Sequence, residues 1–245
     1  EFLPQDIKGQ KEMAKLMKIN PTDVRDIVDS LHEFNPMLGH RGCRLGISYP
    51  EITKMQARAI CEAAVNVKGS RPEIMVPLIG HVKELVYQKS IICSTIKAIE
   101  KEKNTKLKIL IGTMIEVPRA AMTAEVIATE ADFFSFGTND LTQMSCGFSR
   151  DDAGKFLGDY VEHGIYEYDP FHVLDRDGVG QLVERAACHG RKTRKDIKLG
   201  LCGEHGGEPS SVAFCHSIGL DYISCSPYRV PIARLAAAQA ALRRS

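Results

Sequence analysis

Apolar residues in this chain of 245 residues gather in short runs, each followed by a stretch with helical spacing. The runs over 73–78, 107–115, 132–136, 197–201 and 221–226 are apolar and rich in β-favouring residues, and they predict buried strands. A sixth run, Cys43-Arg-Leu-Gly-Ile47, precedes a helix opening near Pro50-Glu51 and is a further strand candidate. Alternating strands and helices imply a parallel sheet, because parallel neighbours need crossovers and the crossover helices cover the sheet. The expected class is α/β. A (β/α)8 barrel is preferred over a doubly wound sheet, and in either topology functional loops collect at the C-terminal ends of the strands. Six strands leave such a barrel two short of eight.

Outside the repeat, Asn20-Pro21-Thr22-Asp23 opens a helix with Val24, Ile27, Val28 and Leu31 on one face, expected to pack between strands. The Lys- and Glu-rich stretch 96–106 predicts an exposed helix end. Residues 154–168, with Tyr160, Tyr166 and Tyr168, are a longer insertion suited to a lid or a subunit contact.

Three of the predicted strands end in polar residues that belong together chemically. The run 197–201 ends in Cys202-Gly-Glu-His-Gly-Gly-Glu-Pro-Ser-Ser211, which sets a thiol in a glycine-rich loop just before a helix whose first turn suits Pro209. The run 107–115 ends at Glu116, and the run 132–136 ends in Gly137-Thr138-Asn139-Asp140. Each residue alone has an ordinary explanation: a buried inert cysteine, a helix cap, a solvated carboxylate. Together, two carboxylates at neighbouring tips fit Mg²⁺, which takes one or two carboxylates and completes its shell with substrate and water. His205 lies in the Cys202 loop, where it would touch a ligand or tune the thiol.

The strings NPMLGHRGCRLGISYPE from Asn35, PEIMVPL from Pro72, GTMIEVPRA from Gly112, DFFSFGTNDLTQM from Asp132, SRDDAGKF from Ser149, CGEHGGEPSSVAF from Cys202 and CSPYRVPIARLAAAQ from Cys225 resemble, in order, the C-terminal domain of the pyruvate, phosphate dikinase family. The resemblance implies a phosphoenolpyruvate/pyruvate-binding TIM-type barrel. Glu116 and Asp140 would hold Mg²⁺, and Asn139 would help place the substrate. Gly137 and Thr138 would offer backbone groups, Arg41 would contact the phosphate or carboxylate, and Cys202 would be the acid at the methylene carbon. Arg44 is the weaker arginine candidate. Glu204 is expected to keep the thiol neutral by like-charge repulsion.

The family barrel carries two earlier strands, each ending near a substrate arginine, which are not found here. The expectation is an N-terminally truncated barrel over residues 1–245, without the nucleotide-binding and phosphohistidine domains. The resemblance further implies a phosphohistidine domain as partner, a homodimer, and a full reaction converting ATP, phosphate and pyruvate to AMP, diphosphate and phosphoenolpyruvate. Phosphoenolpyruvate synthase and enzyme I of the sugar phosphotransferase system share the NDLTQ and Cys-Gly-Glu elements and are the alternatives. An inactive barrel serving only for dimerisation is a third reading.

Composition narrows the partners. With 32 Lys and Arg against 31 Asp and Glu, a net charge of +1 gives no pull toward nucleic acid or a membrane surface, and no apolar run is long enough to span a bilayer. Eight cysteines without a CxxC pair do not suggest zinc, and an α/β enzyme with a working thiol points to a reducing compartment, cytoplasmic or organellar and not secreted.

Overall fold

Five parallel strands form one sheet whose spatial order repeats their order along the chain: β1 (Glu73–Val76), β2 (Leu110–Ile115), β3 (Phe133–Gly137), β4 (Lys198–Cys202) and β5 (Tyr222–Ile223). The computed structural model describes residues 3–31 and 36–243; Asn35, which opens the first of the resembling strings, lies outside the described residues. The chain divides into two compact units, Glu1–Arg41 and Gly42–Ser245.

The first unit holds α1 (Ile7–Met17) and α2 (Pro21–Ser30). Asn20 caps α2 by accepting from the Thr22 amide at 3.2 Å, and Pro21 supplies a pre-set first turn. Val24 and Val28 are buried with Ala14, while Ile27 and Leu31 are exposed. The helix therefore pairs with α1 through a narrow stripe and does not lie between strands.

The second unit carries the sheet and the helices α3 (Cys43–Ser48), α4 (Pro50–Asn66), α5 (Val82–Glu102), α6 (Pro118–Met122), α7 (Ala124–Ile127), α8 (Thr138–Cys146), α9 (Leu157–Glu162), α10 (Gln181–Thr193), α11 (Pro209–Ser217) and α12 (Val230–Leu242). The run 43–47, expected as a strand, is helix α3. Its buried residues, Cys43 and Gly46, are three apart, which is helical spacing. Gly42 turns the chain at φ +59°, and the Cys43 amide then donates to Pro77 O at the end of β1. A Cβ on Gly46 would lie 2.4 Å from Thr53 Oγ1 and 2.7 Å from Gln88 Oε1, so close packing of the turn on α4 and α5 takes the place of sheet pairing.

Alternation sorts the sheet's two faces. Ile74, Val76, Ile111, Ile115, Phe134, Phe136, Leu199 and Leu201 are buried in the main apolar core beneath the helices. The registers Met114 with Ser135, Ser135 with Gly200 and Gly200 with Tyr222 put the intervening residues in one row on the other face. That face is concave. Lys198 Nζ reaches Glu73 Oε1 at 2.8 Å although β1 and β4 are three strands apart, about 14 Å in a flat sheet. Within the row Gly200 leaves room for the Tyr222 ring, whose atoms come within 2.0 Å of where a Cβ would stand. β5 is shorter than its apolar run suggested, because only Tyr222 and Ile223 pair with β4.

The insertion between β3 and β4 folds on a small core of its own, Ala153, Leu157 and Phe171 with Phe148 and Phe156 against it. Tyr160 and Tyr166 stack at 6.2 Å beside it.

Helix α11 is capped by Glu208, whose carboxylate accepts from the Ser210 and Ser211 amides at 2.8 and 2.7 Å. Burial alone would raise this carboxyl; the hydrogen bonds from Ser211 and Ser210 outweigh it and hold it below the usual range. A group held down in the folded state stabilises above its unfolded value and ceases to as pH falls through the folded one. Glu208→Ala should therefore cost about 1–2 kcal/mol in urea unfolding at neutral pH. That difference should shrink on acidification below about pH 4, and a pH-independent difference would show that the charge is not what caps the helix.

Candidate active site at the strand tips

Register builds the site. Gly137 pairs with Cys202, and Ile115 pairs with Phe136, so Glu116, Gly137 and Cys202 fall in successive positions of one row at the C-terminal edge of the concave face. A Cβ on Gly137 would stand 2.6 Å from Met114 Sδ and 2.7 Å from Glu116 Oε2. Only glycine leaves room for the Glu116 carboxylate against β3.

Glu116 is buried, and its Oε1 accepts from the Leu78 amide at 2.7 Å. Leu78 follows the tip of β1 with φ +60°, an uncommon conformation for a large side chain, and the Cys43 thiol donates to its carbonyl at 3.2 Å. One carboxylate thus ties the β1 and β2 tips together while its second oxygen faces the row.

From β3 the chain passes directly into α8, whose first residues are Thr138, Asn139 and Asp140. Thr138 and Asp140 are buried. The Asn139 side-chain oxygen is also buried and has no hydrogen-bond partner, a costly state for an amide carbonyl. Gly203, at φ +105°, holds the Cys202 loop close to this turn, with Thr138 Oγ1 and Asn139 Nδ2 at 3.4 and 3.5 Å from the site of its missing Cβ.

The Cys202 thiol donates to Phe136 O at 3.6 Å. Burial pushes this thiol above the ordinary range, and the Glu116 and Asp140 charges push it further, against a hydrogen bond from Ser135. The group is a neutral S–H at physiological pH. Both carboxylates lie near enough for their charges to bear on the thiol. Glu204, expected to supply the repulsion, instead faces Arg150, with Oε1 and Nη2 3.6 Å apart. Arg41 belongs to the first unit, where its Nε donates to Met37 O at 2.9 Å. Arg44 lies on α3 beside Cys43.

Three residues near the thiol escaped sequence reasoning. Ser135 lies in one row with Gly200 and Tyr222 and bears on both the Cys202 thiol and the Tyr222 hydroxyl. The available signal was Ser135 as the one polar residue among Phe133, Phe134 and Phe136, opposite the small Gly200. Leu78 carried no such signal.

The donor set suits a hard cation: two carboxylates and an unpartnered amide oxygen. Among the described residues no group of three or more His, Cys, Asp and Glu is arranged to hold a metal ion. A pair of carboxylates leaves coordination positions for substrate and water.

A parallel α/β sheet that carries a thiol and two carboxylates at its strand tips is the arrangement of a candidate active site. The chain belongs to the family described as PEP-utilising enzyme, PEP-binding domain, whose profile matches residues 4–242. It is 60% identical over 247 residues to the pyruvate, phosphate dikinase of Clostridium symbiosum, covering 99% of this chain and 28% of that protein. It is 58% identical to the dikinase of Rhizobium meliloti strain 1021 and 56% identical to the chloroplastic dikinase 1 of Arabidopsis thaliana, covering 28% and 25% of those proteins. The chain thus spans about a quarter of the length of these relatives. Among solved structures, a citrate lyase from Burkholderia xenovorans LB400 superposes with a TM-score of 0.51 at 16% identity, covering 75% of this chain and 53% of that one, which supports the fold alone. Among the described residues no helix is long and apolar enough to cross a membrane.

Because Glu116 and Asp140 hold the thiol proton in place, neutralising either should speed alkylation of Cys202 by iodoacetamide several-fold at a fixed pH. Peptide mass spectrometry reports this at Cys202 separately from the other cysteines. Unchanged rates in both Glu116→Gln and Asp140→Asn would remove the electrostatic account of the thiol.

Proposed function

We propose that this chain is the phosphoenolpyruvate/pyruvate-binding part of a dikinase, and that Cys202 protonates the enolate of pyruvate. The observation that carries the reading is a neutral thiol coupled to Glu116 and Asp140 at one set of strand tips, in a chain matching named dikinases along nearly its whole length.

Glu116 and Asp140 hold Mg²⁺ in this reading, with the Asn139 side-chain oxygen turned toward the ion or the substrate. The ion supplies Lewis-acid stabilisation of the enolate oxygen. Gly137 and Thr138 present backbone groups to the substrate, and Arg41 grips its phosphate or carboxylate with a planar fork. The protein's own part is to place an S–H against one face of the enolate.

Loss of the phosphoryl group from phosphoenolpyruvate leaves electron density on the methylene carbon. That carbon takes the Cys202 proton, a C–H bond forms as the S–H bond breaks, and pyruvate remains beside a thiolate. In the reverse direction the thiolate removes a methyl proton. The thiolate is the less stable state in this buried setting, so the balance favours proton delivery. The Cys202 thiol is held by its bond to Phe136 O, with Ser135 bearing on it from the same face.

The phosphoryl group goes to or comes from a phosphohistidine on another domain, and the full reaction joins ATP and phosphate with pyruvate. The names of the relatives favour this over a phosphoenolpyruvate synthase or an enzyme I. A homodimer and a reducing compartment belong to the same reading.

Exchange of the pyruvate methyl protons for deuterium, followed by NMR, tests it. Exchange should need both Mg²⁺ and Cys202, with Cys202→Ser about 10²–10⁴-fold slower. Mg²⁺-dependent pyruvate binding should be nearly unchanged in that variant, and an equal loss of binding would refute the assigned role. Glu116→Gln and Asp140→Asn should each weaken Mg²⁺ binding roughly tenfold or more, and normal affinity in both would rule out the metal site.

A further inference from the structure

His205 is fully buried, and both ring nitrogens are engaged: Nδ1 lies 2.6 Å from Thr138 Oγ1 and Nε2 lies 3.0 Å from Pro170 O. A carbonyl oxygen only accepts, so Nε2 carries the hydrogen. Burial lowers the ring's affinity for a second proton, against the Pro170 carbonyl and the Glu208 and Glu204 charges, and the ring is neutral. In the neutral ring Nδ1 is a lone pair, and Thr138 must donate to it. Thr138 has one hydroxyl hydrogen, and the Cys202 carbonyl, 3.3 Å from Thr138 Oγ1, is the weaker claimant by distance.

The ring therefore joins two tips that carry different parts of the site. Thr138 is the first residue of α8, immediately before Asn139 and Asp140, and His205 sits three residues after Cys202. The turn holding His205 has little freedom on its far side. A Cβ on Gly206 would stand 2.3 Å from Ser224 O, and one on Gly207 would stand 2.3 Å from the Arg229 side chain.

We propose that His205 is a positioning residue that accepts the Thr138 hydroxyl through Nδ1 while donating to Pro170 through Nε2, and so fixes the Cys202 thiol against the Asn139–Asp140 turn. This rests on the assignment of Cys202 and Asp140 given above. The ring touches no reacting atom. Its effect is on alignment of acid and substrate, where a displacement near 1 Å costs about 100-fold in rate.

Two substitutions separate the ring's two bonds in the intact protein. His205→Asn places an amide oxygen near the Nδ1 position and keeps an acceptor for Thr138. His205→Gln places its amide nearer Nε2 and loses that acceptor. Methyl exchange should fall roughly 10–100-fold in kcat for the Gln variant, with KM for pyruvate within about threefold, while the Asn variant stays within about threefold of wild type in both. Thr138→Val should match the Gln variant, and the pair combined should be no slower than either alone, since both remove one bond. Equal rates for the Gln variant and wild type, or additive losses in the pair, would overturn the proposal.

A second readout does not depend on activity. The ¹⁵N spectrum of His205 should show the Nε2–H tautomer in wild type, with Nδ1 unprotonated, and a shift of Nδ1 in Thr138→Val. The opposite tautomer would overturn the proposal even if every variant were slow. Failure of wild type to exchange pyruvate protons would sink the functional reading instead, and the ring spectrum would still decide the bond to Thr138.

Discussion

The parallel register of β2, β3 and β4 is the constraint from which the rest of the site follows. A one-residue slip in any of these pairings would turn Glu116 or Cys202 to the helix-covered face and bring Ile115 or Leu201 to the concave one. The apolar residues prevent that slip: Ile115, Phe136 and Leu201 are fully buried on the outer side, and exposing even one forfeits about 1.5–3 kcal/mol. Burial of the outer row thus aims the polar row. Gly137 completes the arrangement, because any side chain there would fill the space that Glu116 occupies against β3.

The charges at the tips bear on the thiol and on the kind of ion the tips would suit. Glu116 and Asp140 make a thiolate unfavourable at Cys202, and a pair of partly desolvated carboxylates is also what a hard divalent cation requires. Among the described residues no cation lowers the thiol's proton affinity, which distinguishes it from the activated cysteines of covalent catalysis. The buried, unpartnered Asn139 oxygen fits the same picture: desolvating it costs energy that a ligand would return.

Support for the tips comes from glycines and buried polar groups at specific positions. Gly200 admits the Tyr222 ring, which packs over β4 in the row that holds Ser135. Gly203, in a backbone conformation that only glycine adopts readily, brings the Cys202 loop onto Thr138 and Asn139. At the other end of the sheet, the pairing of Lys198 with Glu73 spans three strands and reports its curl. Curl converges the tips; a flat sheet would spread the same residues along a line.

The five strand runs, the helix starts at Pro21 and Pro209, and the thiol and carboxylates at strand ends were all legible in the sequence, because burial and capping leave periodic or local signatures. The run 43–47 was not. Five residues are too few for periodicity to separate a strand from a buried turn of helix, and the deciding contacts of Gly46 with Thr53 and Gln88 come from elsewhere in the chain. The charges that keep Cys202 neutral were misassigned to Glu204 for the same reason: it is near in sequence, whereas Glu116 and Asp140 are 86 and 62 positions away and near only in space. By itself the sequence determined which residue types stand at which strand ends. Which of them face one another, and that His205 spans two tips, was decided only by strand register and close packing, which depend on pairings between distant segments.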